Sequence, residues 1–96
     1  MLKRQNLKKD QMVKVTFVVP ADIPNAYVAG DFNEWNTSVL PLKKRSNGTR
    51  SASVKLNQGQ KYTFRYISED GSWFNEEEAD GYEPNIHGSE NCIVLT

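Results

Sequence analysis

Val13-Lys14-Val15-Thr16-Phe17-Val18-Val19-Pro20 sets the reading of this chain. Successive side chains of an extended strand point to opposite sides, so Val13, Val15, Phe17 and Val19 share one face and Lys14 and Thr16 the other. β-Branched and aromatic residues suit a pleated surface with one side buried. Pro20 ends the run, because it has no N–H to give to a ladder. The stretch is a half-buried strand, and its period of two returns downstream.

Ala26 to Ala29 is a short strand that stops at Gly30-Asp31, and Asp31 to Asn36 is a turn-rich connection bearing Trp35. Val39 to Lys44 has the makings of an edge strand, since Pro41 cannot donate to a ladder and Lys43-Lys44-Arg45 would blunt an edge. Asn47-Gly48 is a two-residue hairpin signal of the type I′ kind. Beyond it, Ala52, Val54 and Leu56 alternate with polar residues. After Gln58-Gly59, Tyr62, Phe64 and Tyr66 alternate with Lys61, Thr63 and Arg65. The aromatic face of that strand belongs to the core. Asp70-Gly71 turns the chain into Trp73-Phe74, of which one faces the core and the other solvent. A long connection from Asn75 to Glu90 carries Glu76-Glu77-Glu78, expected to lie in water, and Cys92 to Leu95 is the last strand. About seven short strands with turns every ~8–12 residues and no long helix read as an all-β fold, a β-sandwich. Residues 1–11, with Lys3, Arg4, Lys8 and Lys9, are expected as a mobile basic arm, and residues 12–96 as a single domain.

A chain of 96 residues holds one small domain and excludes a catalytic (α/β)₈ barrel. Four Phe, four Tyr and two Trp are too many for a disordered tail. Twelve basic residues balance twelve acidic ones, which speaks against a general polyanion binder, so no nucleic acid is expected. The lone Cys92 rules out an internal disulfide and a cysteine zinc site. Asp70, Glu76, Glu77, Glu78 and Asp80 lack the alternating spacing of a calcium loop, so neither metal nor cofactor is expected. The first ten residues hold no apolar run and no stretch could span a bilayer, so no secretory leader and no membrane are expected, and the cytoplasm is the expected compartment. His87, the only histidine, lies in a Gly/Asn/Pro-rich loop, and a small sandwich offers no deep cleft. Catalysis is not expected.

The two tryptophans are more informative. Neither Trp35 nor Trp73 sits inside an alternating core run. An indole offers a flat apolar face, which suits the C–H face of a pyranose ring. The rim of hydroxyls on such a ring needs directed partners. Arg65 has planar, fixed-direction donors, and Asn91 has both donor and acceptor. On composition alone, each of these residues also suits a plain surface role.

Val28-Ala29-Gly30-Asp31-Phe32-Asn33-Glu34-Trp35-Asn36 resembles the Gly-[Asp/Ser]-Phe-Asn-x-Trp segment of the isoamylase N-terminal-like (early set) domains, carbohydrate-binding module family 48. Such domains occur in glycogen branching and debranching enzymes and in the β subunit of AMP-activated protein kinase. The resemblance continues through Leu56-Asn57-Gln58-Gly59, Tyr62 to Tyr66, Asp70 to Trp73 and Asn85 to Val94, over roughly residues 13–95. It implies an immunoglobulin-like (early set) sandwich and a non-catalytic module that binds α-1,4-glucans such as glycogen or maltodextrin. Trp35 and Trp73 match the stacking pair, Arg65 the basic residue (often Lys), Asn91 the Asn ahead of the last strand, and Ser89 a nearby small hydroxyl residue. His87 stands where kinase-subunit members carry a leucine that pushes into the curve of the glucan, and the region around Glu69 is one residue longer. A stand-alone module is the expectation. The alternative is an interaction domain that docks on a glycogen-metabolism enzyme or regulator, with sugar binding vestigial.

Overall fold

The alternation around Val15 becomes a strand with its apolar side shut off from water. A computed structural model describes residues 1–7, 11–20 and 22–96. Its strands are β1 (Leu2–Leu7), β2 (Met12–Pro20), β3 (Ala26–Gly30), β4 (Lys43–Lys44), β5 (Thr49–Asn57), β6 (Lys61–Ser68), β7 (Trp73–Phe74), β8 (Gly81–Pro84) and β9 (Glu90–Leu95). They form two antiparallel sheets, one ordered β1-β2-β5-β4 and the other β3-β6-β9-β8. β7 continues the second sheet beside β6, pairing Tyr66 with Phe74 where β9 no longer runs alongside. The expected β-sandwich is what the chain forms.

Between the sheets lie Val13, Val15, Phe17 and Val19 of β2, Leu56 of β5, Phe64 and Tyr66 of β6, and Cys92 and Val94 of β9, all buried. Phe17 meets Phe64 edge-on with ring centroids 4.8 Å apart, stacks on Phe32 at 5.8 Å and meets Tyr66 at 6.4 Å. Such aromatic contacts add about 0.5–1.5 kcal/mol each beyond the area they bury. Among the described residues no helix is long and apolar enough to cross a membrane.

Five sequence expectations are corrected. Leu2–Leu7 is no mobile arm but an edge strand, in register with β2 from Leu2 opposite Phe17 to Leu7 opposite Met12. A polar composition does not forbid an edge strand, whose backbone pairs whatever its side chains are, and the Lys and Arg it carries guard the edge. Lys8 and Lys9 lie outside the described residues. Gly81–Pro84, hidden in the long connection, is a second unexpected strand, and Val39–Lys44 shrinks to two strand residues plus one bridge from Pro41 to Tyr27. The Asn47-Gly48 hairpin is not type I′, which needs positive φ at both positions; only Gly48 has it, at 81°. Asn47 turns the chain with its side chain instead, accepting hydrogen bonds from the Thr49 amide and hydroxyl. Glu76, expected in water with its neighbours, is buried beneath Tyr66 and Tyr82.

Gly30 ends β3 against β6 with no room for a side chain. A Cβ there would lie 2.6 Å from the Thr63 carbonyl oxygen and 2.9 Å from the Phe64 Cβ. Neither atom can yield without shifting the β6 backbone. Gly30→Ala is expected to lower stability by about 1–3 kcal/mol, read as a lower urea midpoint at unchanged slope.

Candidate functional site

The groove is built from the outward side of the second sheet and the loop after β3. With Phe64 and Tyr66 facing the core, Thr63 and Arg65 of β6 face out. The loop opens with a single 3₁₀ turn, Asp31–Asn33. Asn33 ties that turn down, its Oδ1 accepting from the Gly30 amide at 3.0 Å and its Nδ2 donating to the Val28 carbonyl at 3.0 Å. Phe32 anchors the loop through Phe17 and Tyr62. Glu34 and Trp35 then both take left-handed backbone, at φ 56° and 57°. Non-glycine residues hold that conformation at about 1–3 kcal/mol each, and only where the surroundings enforce it. Here the Trp35 amide donates to the Gly30 carbonyl at 2.9 Å.

Asp31 is the clamp. Its Oδ2 accepts from the Thr63 amide at 2.8 Å and the Thr63 hydroxyl at 2.9 Å, and its Oδ1 accepts from the Trp35 indole N–H at 3.2 Å. One carboxylate therefore joins the loop to β6 and fixes the indole. Trp73, 41% exposed, stands on β7 with its ring centroid 6.5 Å from that of Trp35 and the planes tilted by 55°. Its neighbour Phe74 turns inward onto Tyr66, with ring centroids 5.2 Å apart. One of the pair faces the core and the other solvent, as alternation demands.

Arg65 lies over the Trp73 ring, its guanidinium carbon 5.7 Å from the centroid. Its Nε donates to Asn75 Oδ1 at 2.7 Å, and Asn75 Nδ2 in turn donates to the Glu90 carbonyl. The guanidinium is thus oriented from behind. The far wall is the β8–β9 loop, organised by Asn85. Its Oδ1 accepts from the His87 and Ser89 amides, and its Nδ2 donates to Asn91 Oδ1 at 3.2 Å. That bond engages the Asn91 carbonyl oxygen and leaves its N–H₂ group without a side-chain partner among the described residues. Trp35, Arg65, Trp73, Ser89 and Asn91 line one open groove, together with Asp31, Thr63, Asn85, Ile86 and His87.

Sequence reasoning singled out the five outward-facing residues and missed those that hold them. Asp31, Asn75 and Asn85 read as turn residues; only their partners, distant along the chain, reveal their work. Ile86, 96% exposed on the far wall, is a further groove residue outside the expected five. An isoleucine inside Pro84-Asn85-Ile86-His87-Gly88, where no alternation accounts for it, is the signal that could have found it.

Two buried groups behind the groove titrate abnormally. Burial raises the Cys92 thiol above its ordinary value, and burial followed by the neighbouring Glu76 carboxylate raises the Tyr66 phenol far more. Both are neutral in the fold. Their contribution to stability is complete below the unfolded-state values and is lost as pH rises past them. In the turn before β7, hydrogen bonding from Ser72 lowers the Asp70 carboxyl from its ordinary value.

The arrangement offers two tilted apolar faces, a fixed guanidinium and an amide, with an acidic clamp beneath. It suits recognition of a flat, many-hydroxyl ligand. The fold and groove define a binding module, and the chain belongs to the carbohydrate-binding module 48 (isoamylase N-terminal domain) family, whose profile matches residues 24–85. The match takes in Trp35, Arg65 and Trp73 and ends before Ser89 and Asn91. The chain is also 31% identical over 91 aligned residues, 86% of its length, to ULP1-interacting protein 4 of Saccharomyces cerevisiae. It spans 29% of the length of that relative.

Two outcomes follow from the geometry. Indoles 6.5 Å apart and tilted couple their transitions, so the native protein gives an exciton couplet in the tryptophan band of its circular dichroism. Asp31→Ala is expected to collapse the couplet and cost about 1–3 kcal/mol of stability, because it strips the Thr63 amide and the indole of their acceptor. Urea midpoints are expected to fall as pH rises above about 9, as the unfolded chain releases the thiol and phenol protons that the fold retains. Midpoints level up to pH ~11 would contradict the neutral burial of both groups.

Proposed function

We propose that this chain is a non-catalytic module for α-1,4-linked glucans such as glycogen or maltodextrin. Successive glucose units stack on Trp35 and Trp73, Arg65 and Asn91 bond to their hydroxyls, and Ser89 adds a contact at the rim. The observation that carries this reading is the pair of indoles, side by side on one open face and 6.5 Å apart. That spacing is of the order of one sugar residue, and the tilt between the rings suits a helically curved chain better than a flat one. Family membership supports a carbohydrate as the ligand. Asp31, the carboxylate at the groove floor, is engaged by Thr63 and Trp35, which supports binding without turnover. The expected setting is the cytoplasm, where glycogen is found.

Two stacked glucose units hold roughly 22 non-hydrogen atoms; at about 0.3 kcal/mol per atom they support no more than ~6–7 kcal/mol, a Kd of tens of micromolar at best. The ligand is neutral, so binding should barely depend on salt.

A second reading, docking on a glycogen-metabolism enzyme or regulator, draws on one observation: the yeast relative bears the name of an interacting protein. Titration with maltoheptaose separates the two. The expected result is a Kd between ~10 μM and ~1 mM that changes less than twofold between low and physiological salt. Trp35→Ala and Trp73→Ala should each weaken it about tenfold or more, with the fold intact by far-UV circular dichroism. No heat and no amide shifts at millimolar sugar, or undiminished retention of both variants on amylose, would remove the glucan site and leave docking as the reading.

A further inference from the structure

Zero net charge conceals an uneven placing of charge: the first sheet is basic throughout, and the second carries both signs. β1, β2, β4 and β5 each carry Lys or Arg and contain no Asp or Glu at all. With Val13, Val15, Phe17 and Val19 inward, Lys14 and Thr16 face out on the first sheet. Register then assembles the outer surface row by row. Lys14 stands directly opposite Lys55, Thr16 lies between Lys3 and Ser53, and Ser51 pairs with Lys43. The four lysines are exposed, and among the described residues none of them takes part in an ion pair.

The Lys14–Lys55 pair is the telling feature. These residues sit on the two central strands, and like charges directly opposite in an antiparallel pair oppose its stability. No carboxylate of the sheet relieves them. An anion placed over the rows would.

We propose that this face docks an acidic segment of a partner protein, leaving the aromatic groove on the opposite sheet free for its own ligand. Charge complementarity points to the occupant. Ammonium groups spread over a flat surface match several separate carboxylates, whereas a phosphate site calls for converging donors or an open guanidinium fork. The Arg45 guanidinium beside these rows is turned onto Ser51, its Nε donating to the hydroxyl at 2.8 Å. The outward rows hold no aromatic ring on which a base could stack, which disfavours single-stranded nucleic acid. Of the apolar side chains in those rows, Leu7, Met12 and Val18 are half-buried and only the small ring of Pro20 is exposed, which gives little to insert into a bilayer. The sandwich measures 22 Å along its shortest axis, against a Debye length of about 8 Å at physiological salt, so charges on one face hardly reach the other. The inference goes beyond the glucan reading and does not rest on it.

The test uses a fluorescein-labelled peptide of alternating Glu and Ser, followed by anisotropy. Wild type is expected to bind it at low salt and to lose affinity several-fold at physiological salt. Lys14→Glu converts the like-charged pair into an opposite one. It should raise the Tm by a few degrees while weakening the peptide about tenfold or more, and leave maltoheptaose binding unchanged. No binding by wild type at low salt, or equal binding by Lys14→Glu, overturns the proposal. So does an unchanged Tm, which removes the premise of a frustrated pair. Tighter binding to a single-stranded oligonucleotide or to phosphatidylserine vesicles than to the peptide overturns the assignment to a protein partner. Failure of wild type to bind maltoheptaose bears on the groove alone.

Discussion

Phe17 is where the two sheets are joined. It reaches from β2 across the interior to Phe64 and Tyr66 of β6 and takes Phe32 of the loop against its face. Once those rings are inside, alternation leaves no freedom elsewhere. Thr63 and Arg65 must face out on one sheet, and Lys14 and Thr16 on the other. A slip of one residue in either strand would place charges in the core and rings in water, which is why the register is unambiguous. The composition of both outer surfaces follows from this single packing event.

The loop after β3 converts that scaffold into a groove. Each residue from Gly30 to Trp35 has a separate physical task. Gly30 allows the backbone to press on β6, Asp31 clamps, Phe32 anchors, Asn33 fastens the turn, and Glu34 and Trp35 accept left-handed backbone. Strain in the last two is sustained by the bonds of the first four. The result is a half-buried indole held in one orientation at the groove wall, with little side-chain freedom left to lose.

The strands of the first sheet carry only basic charge, whereas those of the second carry both signs. Asp31 and Glu34 lie in the loop after β3, and Glu69, Asp70, Glu76 to Glu78 and Asp80 in the loops between strands of the second sheet, while Lys14, Lys55, Lys3 and Lys43 face out from the first. A sandwich separates its two outer faces by the thickness of its core, so each can present its own chemistry.

Local pattern reached far in this chain. Period-two runs marked β2, β5, β6 and β9, because burial of one face of a strand is written directly in consecutive residues. Motif order, and indoles outside alternating runs, also singled out Trp35, Arg65, Trp73, Ser89 and Asn91, which the fold brings to one groove. β1 and β8 escaped, since an edge strand gains its stability from backbone pairing and leaves little apolar signature. Glu76 also escaped: nothing in Glu76-Glu77-Glu78 tells which carboxylate meets Tyr66. The sequence by itself determined the class of fold and which side chains face outward, as these depend on neighbours in the chain. Tertiary structure alone decided that the two indoles lie 6.5 Å apart, that Asp31 holds one of them, and that Lys14 confronts Lys55. Those are contacts between strands remote in sequence, set by how the sheets pair and close on their shared core.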